Sequence, residues 1–139
     1  MRIVAGEDEI VRAWMGQKLG DVFKEGLTLG VFSNEGRLVG GILFQGYTGA
    51  AVDLGAVGRV AFRRVFQAVG DMAFGHLGCV RVQCVTRASN RHVRRLLPRM
   101  KFKFEGTMRR HYGDEDGLLF SMLKHEAIAL GYYREATHG

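Results

Sequence analysis

Cysteine, proline and tryptophan are the scarce residues of this 139-residue chain. It has two cysteines, one proline and one tryptophan against twenty glycines, so its turns depend mainly on glycine. Cys79 and Cys84 are five positions apart, and in one strand they would point to opposite faces, which excludes a disulfide between them. Reduced thiols are typical of a cytoplasmic compartment. The five histidines show no metal-ligand spacing, so the sequence predicts no metal site.

Long apolar runs are also lacking. No stretch approaches the roughly twenty apolar residues that a membrane span requires. The N-terminal segment MRIVAGEDEI has acidic residues where a signal peptide has its apolar core, so we expect no export and a cytoplasmic location. No repeat or linker-like stretch interrupts the chain, and its length suits one domain over residues 1–139.

Hydrophobic periodicity predicts an α/β protein. The strands are expected at 2–5, 27–33, 38–44, 50–56, 79–86, 106–112 and 118–123, and the helices at 7–19, 60–76 and 91–100. The turn Asn34-Glu35-Gly36 is a strong hairpin signal between the second and third strands. Gly40 and Gly41 inside the third strand indicate a bulge or a close backbone approach. Residues 124–139 are interpreted as a short helix covering the sheet or as a dimer contact, which leaves monomer and homodimer both open.

Positive charge is concentrated in one stretch of the chain. Residues 87–110 contain nine Lys or Arg and a single acid, Glu105, so this stretch has a net charge of +8. The whole chain has a net charge of +6, so the remainder carries −2. Such a cluster indicates an anionic partner, for which the phosphates of CoA, an RNA or an acidic protein segment are candidates. A solvated helix face is the alternative.

The most informative stretch runs from Phe74 to Gly106. It reads as the end of a helix closed by Gly78, an apolar buried strand, a helix capped near Asn90, and the start of another strand. Here the sequence resembles the GNAT superfamily of acetyl-CoA-dependent N-acetyltransferases, in particular the ribosomal-protein N-terminal acetyltransferases and their phage-encoded relatives. The resemblance covers about residues 55–123. The matching residues fall in register without a gap: Phe74, Leu77, Gly78, Arg81, Asn90, Phe102, Glu105 and Gly106.

This resemblance implies a GNAT fold. We therefore expect a mixed, mostly antiparallel sheet of six or seven strands with three or four flanking helices, in which the fourth and fifth strands splay apart. It further implies acetyl-CoA as the acetyl donor and a primary amine as the acceptor, either a protein N-terminus, a lysine or a small molecule. The alternatives are a CoA-binding homologue without catalysis and an enzyme directed at RNA or aminoacyl-tRNA through the basic stretch.

The same resemblance suggests which residues hold the cofactor. The backbone of Leu54, Gly55, Ala56 and Val57 would bind its pantetheine amides and polarise the thioester carbonyl. Gly58 stands where the family places the first glycine of its pyrophosphate loop, and backbone N–H groups at a helix N-terminus favour an anion. The remaining predicted contacts with the cofactor come from side chains or from the rest of this loop: Arg59, Val60, Arg63, Asn90 and Arg94. Asn90 is equally well explained as a helix cap, and both roles can hold.

Acetyl transfer requires a group that takes a proton from the amine and one that protonates the leaving thiolate. Many GNAT enzymes carry a tyrosine seven residues after the asparagine, but this chain has Leu97 there, followed by Pro98, which is expected to bend or end the helix. Asp53 on the fourth strand is the candidate base. Tyr112 is the candidate acid, with neighbouring His111 as another. Ser89 is a further polar candidate beside the thioester, so the catalytic set is Asp53, Tyr112 and Ser89.

Overall fold

A computed structural model describes residues 1–135 and consists of one seven-stranded sheet with helices on both faces. The first half of the chain contains β1 (Arg2–Ala5), α1 (Asp8–Leu19), β2 (Leu27–Phe32), β3 (Leu38–Gln45) and β4 (Ala51–Gly58). The second half contains α2 (Arg63–Gly70), a π-helical turn (Asp71–His76), β5 (Arg81–Arg87), α3 (Arg91–Arg99), β6 (Lys103–Met108), β7 (Gly117–Leu123) and α4 (Lys124–Leu130).

The strand order is β1-β2-β3-β4-β5-β7-β6, and every neighbouring pair is antiparallel except β4 and β5. The predicted mixed, mostly antiparallel sheet is therefore confirmed. The hairpin at Asn34-Glu35-Gly36 is also confirmed, because β2 and β3 pair on either side of it. Gly40 and Gly41 mark a close approach, since a Cβ on Gly40 would lie 2.3 Å from the Arg59 carbonyl oxygen.

Two separate groups of buried side chains hold the layers together. On one face, Val11 and Met15 of α1 pack against Leu43 of β3, with Val57 of β4 beside them. The other face carries the larger core beneath α2, the π-helical turn and α4. Its fully buried members include Val52, Val65, Val69, Ala73, Phe74, Cys79, Val82 and Ala127. Helix α1 thus covers only the β2–β4 part of its face of the sheet.

Three element boundaries differ from the sequence prediction in the central region. β4 continues to Gly58, and Asp53 does not interrupt it. The helix expected at 60–76 begins at Arg63 and changes to π-helical geometry at Asp71. β5 begins at Arg81, because the Cys79 N–H donates to the Ala73 carbonyl and closes the preceding helical turn.

The C-terminal part of the chain also shows differences. β6 covers Lys103–Met108 and not 106–112, since it pairs with β7 from Lys103 onward, through a bulge between Phe104 and Gly106, and residues 109–116 form a turn. The helix with Pro98 ends at Arg99, as expected from the missing N–H. The tail forms α4, while residues 136–139 of the predicted tail lie outside the described residues.

Candidate functional site

The parallel strands β4 and β5 are paired over only part of their length. Their register begins with Ala51 opposite Arg81 and ends with Asp53 opposite Gln83. Both strands continue beyond that point, without pairing to each other, to Gly58 and Arg87. The predicted splayed pair is confirmed, and we call the space between residues 54–58 of β4 and residues 84–87 of β5 the splay gap.

Unpaired backbone groups of β4 face the splay gap. The Ala50 carbonyl accepts hydrogen bonds from Val80 and Arg81 at the start of β5, so even-numbered residues of β4 direct their backbone toward β5. Successive residues of a strand alternate in this respect. The N–H and C=O groups of Leu54 and Ala56 therefore point into the splay gap, where no strand pairs with them. They are available to an extended ligand.

A cavity of about 270 Å³ adjoins the splay gap, between β4, α2 and α3. Its walls are mainly apolar: Leu19, Ile42, Leu54, Ala56, Val57, Val60, Ala61, Phe66, Val69, Val93, Leu96, Leu97 and Phe102. Polar or ionisable side chains enter it from Cys84, Asn90 and His92. Burial raises the pKa of the Cys84 thiol to about 11, with a smaller contribution from Asp53. The cavity is thus suited to an apolar chain and offers polar contacts at α3.

A wider groove of about 790 Å³ lies beside β1, between Leu29 and the face of α2 that carries Ala68. It contains no residue of the splay gap. We assign the functional site to the smaller cavity, because it adjoins a strand in the middle of the sheet whose backbone groups are left unpaired at Leu54 and Ala56.

Helix α2 starts at the end of this cavity. Phe62 precedes the helix in an extended conformation, and its carbonyl accepts from the N–H groups of Val65 and Phe66. The N–H groups of Arg63 and Arg64, at the first two helical positions, have no intrahelical acceptor. The first turn contains no acidic residue. This helix start is therefore suited to an anion.

The predicted cofactor residues occupy different surroundings. Gly58 is the last residue of β4, has φ +76°, and could not carry a Cβ, which would lie 2.4 Å from the Val39 carbonyl oxygen. The Arg63 guanidinium donates to the Leu130 carbonyl at 2.6 Å and stacks on Tyr132, so it closes the end of α4. Arg59 is exposed, and Gly55, Ala56, Val57 and Val60 lie on either side of Gly58.

Two predicted contacts come from the start of α3. The Asn90 side-chain oxygen accepts from the Val93 N–H at 3.2 Å, so Asn90 caps the helix, and the same residue lines the cavity. Its amide nitrogen is left for another partner. The Arg94 guanidinium donates to the Ala88 carbonyl at 2.9 Å and stabilises the loop before the helix. The roles of these residues toward a cofactor stay predictions.

Asp53 lies at the point where β4 and β5 separate. Val57 packs with α1, so by alternation Asp53 is on the same side of the sheet as α1, opposite the side on which Cys84 enters the cavity. One carboxylate oxygen of Asp53 accepts from the Gln83 amide at 2.5 Å. Asp53 is only half-buried. It is within reach of a polar molecule that approaches the splay gap from the α1 side.

Tyr112 approaches the splay gap from the other strand. The Val80 carbonyl accepts from the Lys124 N–H on the β7 side, so odd-numbered residues of β5, including Val85, direct their backbone toward the splay gap. The Tyr112 hydroxyl donates to this Val85 carbonyl at 3.2 Å. Burial raises the pKa of Tyr112, and nearby Cys84 adds to it. The phenol therefore keeps its proton at neutral pH.

Ser89 belongs to a clamp that holds Tyr112 in place. The backbone and hydroxyl of Ser89 both donate to the Glu115 carboxylate, at 2.9 and 3.0 Å. Arg87 pairs with Asp114 and Glu115 and lies over the Tyr112 ring at 4.3 Å. The Ser89 backbone N–H is the main cause that lowers the pKa of Glu115. Ser89 is thus engaged with the turn and not directed into the cavity lining.

Sequence reasoning missed several residues of the site. His92 and Ala61 line the cavity, and Leu19 reaches it from the end of α1. Gln83 was also missed, although it contacts Asp53. The position of His92 two residues after Asn90 was a usable signal, because both lie in the first turn of one helix. The contact of Gln83 depends on strand register, which no local pattern in the sequence encodes.

The basic stretch divides into paired and unpaired cations. Arg87 pairs with Asp114 and Glu115, and Lys103 pairs with Glu126 at 2.5 Å. Among residues 1–135, four exposed arginines of α3 have no acidic partner: Arg91, Arg94, Arg95 and Arg99. Arg94 bonds to the Ala88 carbonyl, and the other three are spaced four residues apart along the helix. The same described residues contain no cluster of three or more potential metal ligands and no helix that could cross a membrane.

Comparisons with known proteins agree with this geometry at the level of the fold. No protein-family model and no curated protein matches the sequence. Solved structures do match. A chimera of the spermidine N-acetyltransferase SpeG from Vibrio cholerae and hSSAT has a TM-score of 0.73 at 11% identity, over 92% of this chain and 99% of its own.

Two further structures extend the comparison. The ribosomal-protein-S5-alanine acetyltransferase from Vibrio fischeri has a TM-score of 0.62 at 17% identity, over 84% of this chain and 69% of its own. A GNAT-family acetyltransferase from Bacillus anthracis has a TM-score of 0.59 at 21% identity, over 71% and 67% of the two chains. At these identities the likeness establishes the fold, which is that of the GNAT acetyltransferases. The expected branch and its phage relatives stay a prediction.

Proposed function

We propose that this protein transfers an acetyl group from acetyl-CoA to a primary amine. The observation that carries the proposal is the splay gap, where the backbone groups of Leu54 and Ala56 are unpaired beside an apolar cavity. An extended pantetheine chain with two amides suits such an edge, because it can bond to the strand as another strand would. Acetyl-CoA, when bound, supplies an acyl group activated as a thioester.

The remaining residues around the cavity are suited to the parts of this cofactor. Leu54 and Ala56 would hold the amides, and a β4 N–H group aimed into the gap would stabilise negative charge on a carbonyl oxygen. The unpaired N–H groups at the start of α2 would hold the pyrophosphate. Asn90 contributes its amide nitrogen from the start of α3. This fit does not require the side chain of Arg63, which is engaged with α4.

Asp53 and Tyr112 supply the proton transfers in this proposal. An amine that approaches from the α1 side would meet the Asp53 carboxylate at the closed end of the splay gap, and this carboxylate would take its proton. The Tyr112 hydroxyl on the opposite strand carries a proton at neutral pH and would give it to the leaving sulfur. Ser89 acts indirectly, through the clamp that holds Tyr112.

Isothermal titration with acetyl-CoA tests the proposal. Gly58→Glu is a poor probe, because any Cβ on Gly58 collides with β3. Ala61 is exposed, lines the cavity and precedes α2. We expect Ala61→Glu to weaken binding at least tenfold through repulsion of the phosphates, and the neutral control Ala61→Gln to bind within about twofold of the wild type. Absence of wild-type binding at millimolar acetyl-CoA, or equal binding by both variants, would contradict the proposed site.

The unpaired arginines of α3 favour a second candidate, an acceptor carried by RNA. Arg95 and Arg99 are exposed beside the helix face that lines the cavity, so a bound RNA would lie close to the splay gap. With a single-stranded RNA probe, neutralising both to Gln should reduce the slope of log K against log salt by about 1.4. The matched control neutralises Lys24 and Arg37, which are exposed outside this stretch. Salt-independent binding would exclude this candidate.

A further inference from the structure

Five side chains form a continuous line of hydrogen bonds across the sheet, on the side of α1. Asp53 accepts from Gln83 at 2.5 Å, and Gln83 accepts from the Nε of Arg81 at 2.9 Å. The Arg81 guanidinium then donates to both oxygens of Glu105, at 2.7 and 2.6 Å. The Ser121 hydroxyl donates to Glu105 as well. We call this line the β-face network, and Asp53 is its end at the splay gap.

The order of donors in the β-face network decides how Gln83 is oriented. An arginine Nε can only donate, so the side-chain oxygen of Gln83 must face Arg81. Its NH₂ group then has to face Asp53, and it can only donate to the carboxylate. Gln83 is thus held in the one orientation in which its amide nitrogen donates to Asp53.

The far end of the β-face network has a fixed charge. The hydrogen bonds from Arg81, and secondly that from Ser121, lower the pKa of Glu105 to about 2. Glu105 in turn raises the pKa of Arg81. Neither group changes its charge between about pH 4 and pH 10. The orientation of Gln83 therefore persists over the whole range in which an acetyl transfer would be measured.

Gly46 limits Asp53 from the opposite side. This residue follows β3, with φ +63°, and a Cβ built on it would lie 2.5 Å from the second carboxylate oxygen of Asp53. The absence of a side chain at Gly46 leaves the room that this oxygen occupies. The carboxylate is thus bonded through one oxygen, and its other oxygen lies in the space that a side chain at position 46 would fill.

We propose that Gln83, oriented by Arg81, is the positioning residue for Asp53. It keeps this carboxylate aimed in one direction at the closed end of the splay gap. The inference rests on the proposed function, in which Asp53 takes the proton of the amine. Gln83 does not contact the reacting atoms, so its removal should affect proton transfer and leave binding of the acetyl donor intact.

Steady-state kinetics of Gln83→Leu and Gln83→Glu tests this role. For Gln83→Leu we expect a roughly tenfold fall in kcat with the KM for acetyl-CoA unchanged. Gln83→Glu places a second carboxylate against Asp53, and two such groups share a proton. The acidic limb of its pH–rate profile should therefore move upward by about one pH unit or more. Thr107→Val, on the exposed edge strand β6, is the control and should match the wild type in both respects.

An exchange of the two side chains separates this role from the proposed function. Gln83→Glu sets two carboxylates against each other and should lower the melting temperature by about 3 °C at pH 7, whereas Asp53→Asn keeps an oxygen that accepts from Gln83 and should lower it less. In the double variant the new amide at position 53 donates to the new carboxylate, so the melting temperature should recover. The double variant should not recover kcat, because its carboxylate is at position 83. Additive losses in the double variant, or an unchanged kcat and pH profile in Gln83→Leu, would overturn the role of Gln83.

Failure of the proposed function would look different. In that case, the exchange would still restore the melting temperature, but the wild type would neither bind acetyl-CoA in the titration nor acetylate any amine. The role of Gln83 in positioning a base would then be overturned together with the proposed function, while the pairing itself would stand.

Discussion

The two halves of β4 differ in how their backbone is used. Residues 51–53 pair with β5, and of these three only Asp53 also pairs with β3, opposite Gln45. Residues 54–58 are bonded only to β3, since β5 has separated from them. The register with β3 is uninterrupted from Gln45–Asp53 to Gly40–Gly58, so β3 holds the second half of β4 along its whole length.

This difference shows how the fold provides open binding groups without flexibility. The second half of β4 is fixed from the β3 side, while its other edge keeps unpaired N–H and C=O groups at defined positions. Groups held in place before a ligand arrives need no reorganisation on binding, which is the condition for strong electrostatic stabilisation. A strand end that lacked the hydrogen bonds to β3 would not hold its unpaired groups in place and would not meet this condition.

The largest expected effect comes from disturbing the end of the ladder with β3. In Gly58→Ala the new Cβ would meet the Val39 carbonyl at 2.4 Å and the φ of +76° would be strained, so we expect a loss of about 3 kcal/mol in the free energy of unfolding. Gly55→Ala is the matched control in the same strand, because its Cβ would meet only Leu43, at 3.9 Å. It should be stable to within about 0.5 kcal/mol of the wild type.

Urea denaturation of the two variants measures this contrast. Equal stabilities would mean that residues near Gly58 yield easily and that the second half of β4 is not held by β3. The comparison of the two halves would then fail, together with the explanation of how Leu54 and Ala56 are kept open.

Much of the fold was predictable from the sequence, because local patterns encode it. Hairpin glycines, helix ends such as Gly20 and Gly78, and the apolar periodicity of α1 and α2 specify elements with few alternatives. The resemblance of residues 74–106 to the GNAT superfamily then supplied the topology of the sheet, including the splay of the fourth and fifth strands. Both were confirmed by the structure.

What the sequence did not reveal depends on contacts between distant residues. The strand expected to end at residue 56 continues to Gly58, since Gly58 lies opposite Gly40, where the absence of side chains lets β3 and β4 stay in contact. The clamp of Ser89 on Glu115 and the contact of Gln83 with Asp53 join residues 26 and 30 positions apart. Single-sequence patterns report neighbours within a helix or strand and carry no information on such pairs.

The second prediction concerns the β5 side of the splay gap. Tyr112→Phe removes the hydroxyl that donates to Val85, and we expect kcat for acetyl transfer to fall roughly a hundredfold through loss of the acid. Tyr47→Phe is the matched control, since the Tyr47 hydroxyl donates to the Leu77 carbonyl at 2.8 Å away from the gap. Both variants should lose about 1 kcal/mol of stability, but only the first should lose activity. Equal activities in the two variants would remove Tyr112 from the mechanism.

The smallest expected effect reports directly on whether the splay gap is filled. Cys84 lines the cavity with a pKa raised to about 11 by burial, so at pH 8 it is almost entirely a thiol, and iodoacetamide should modify it roughly a hundredfold more slowly than an ordinary cysteine. The rate should rise about tenfold per pH unit up to about pH 10. Acetyl-CoA at ten times its Kd should slow the modification by a further factor of roughly ten, because only the free protein exposes the thiol.

Cys79, which is completely buried in the core, should stay unmodified with or without the ligand and so reports any general unfolding. Mass spectrometry distinguishes the two sites. Protection of Cys84 with no change at Cys79 would place the ligand beside β5, whereas calorimetric binding without protection would place it elsewhere and would separate the binding site from the unpaired half of β4.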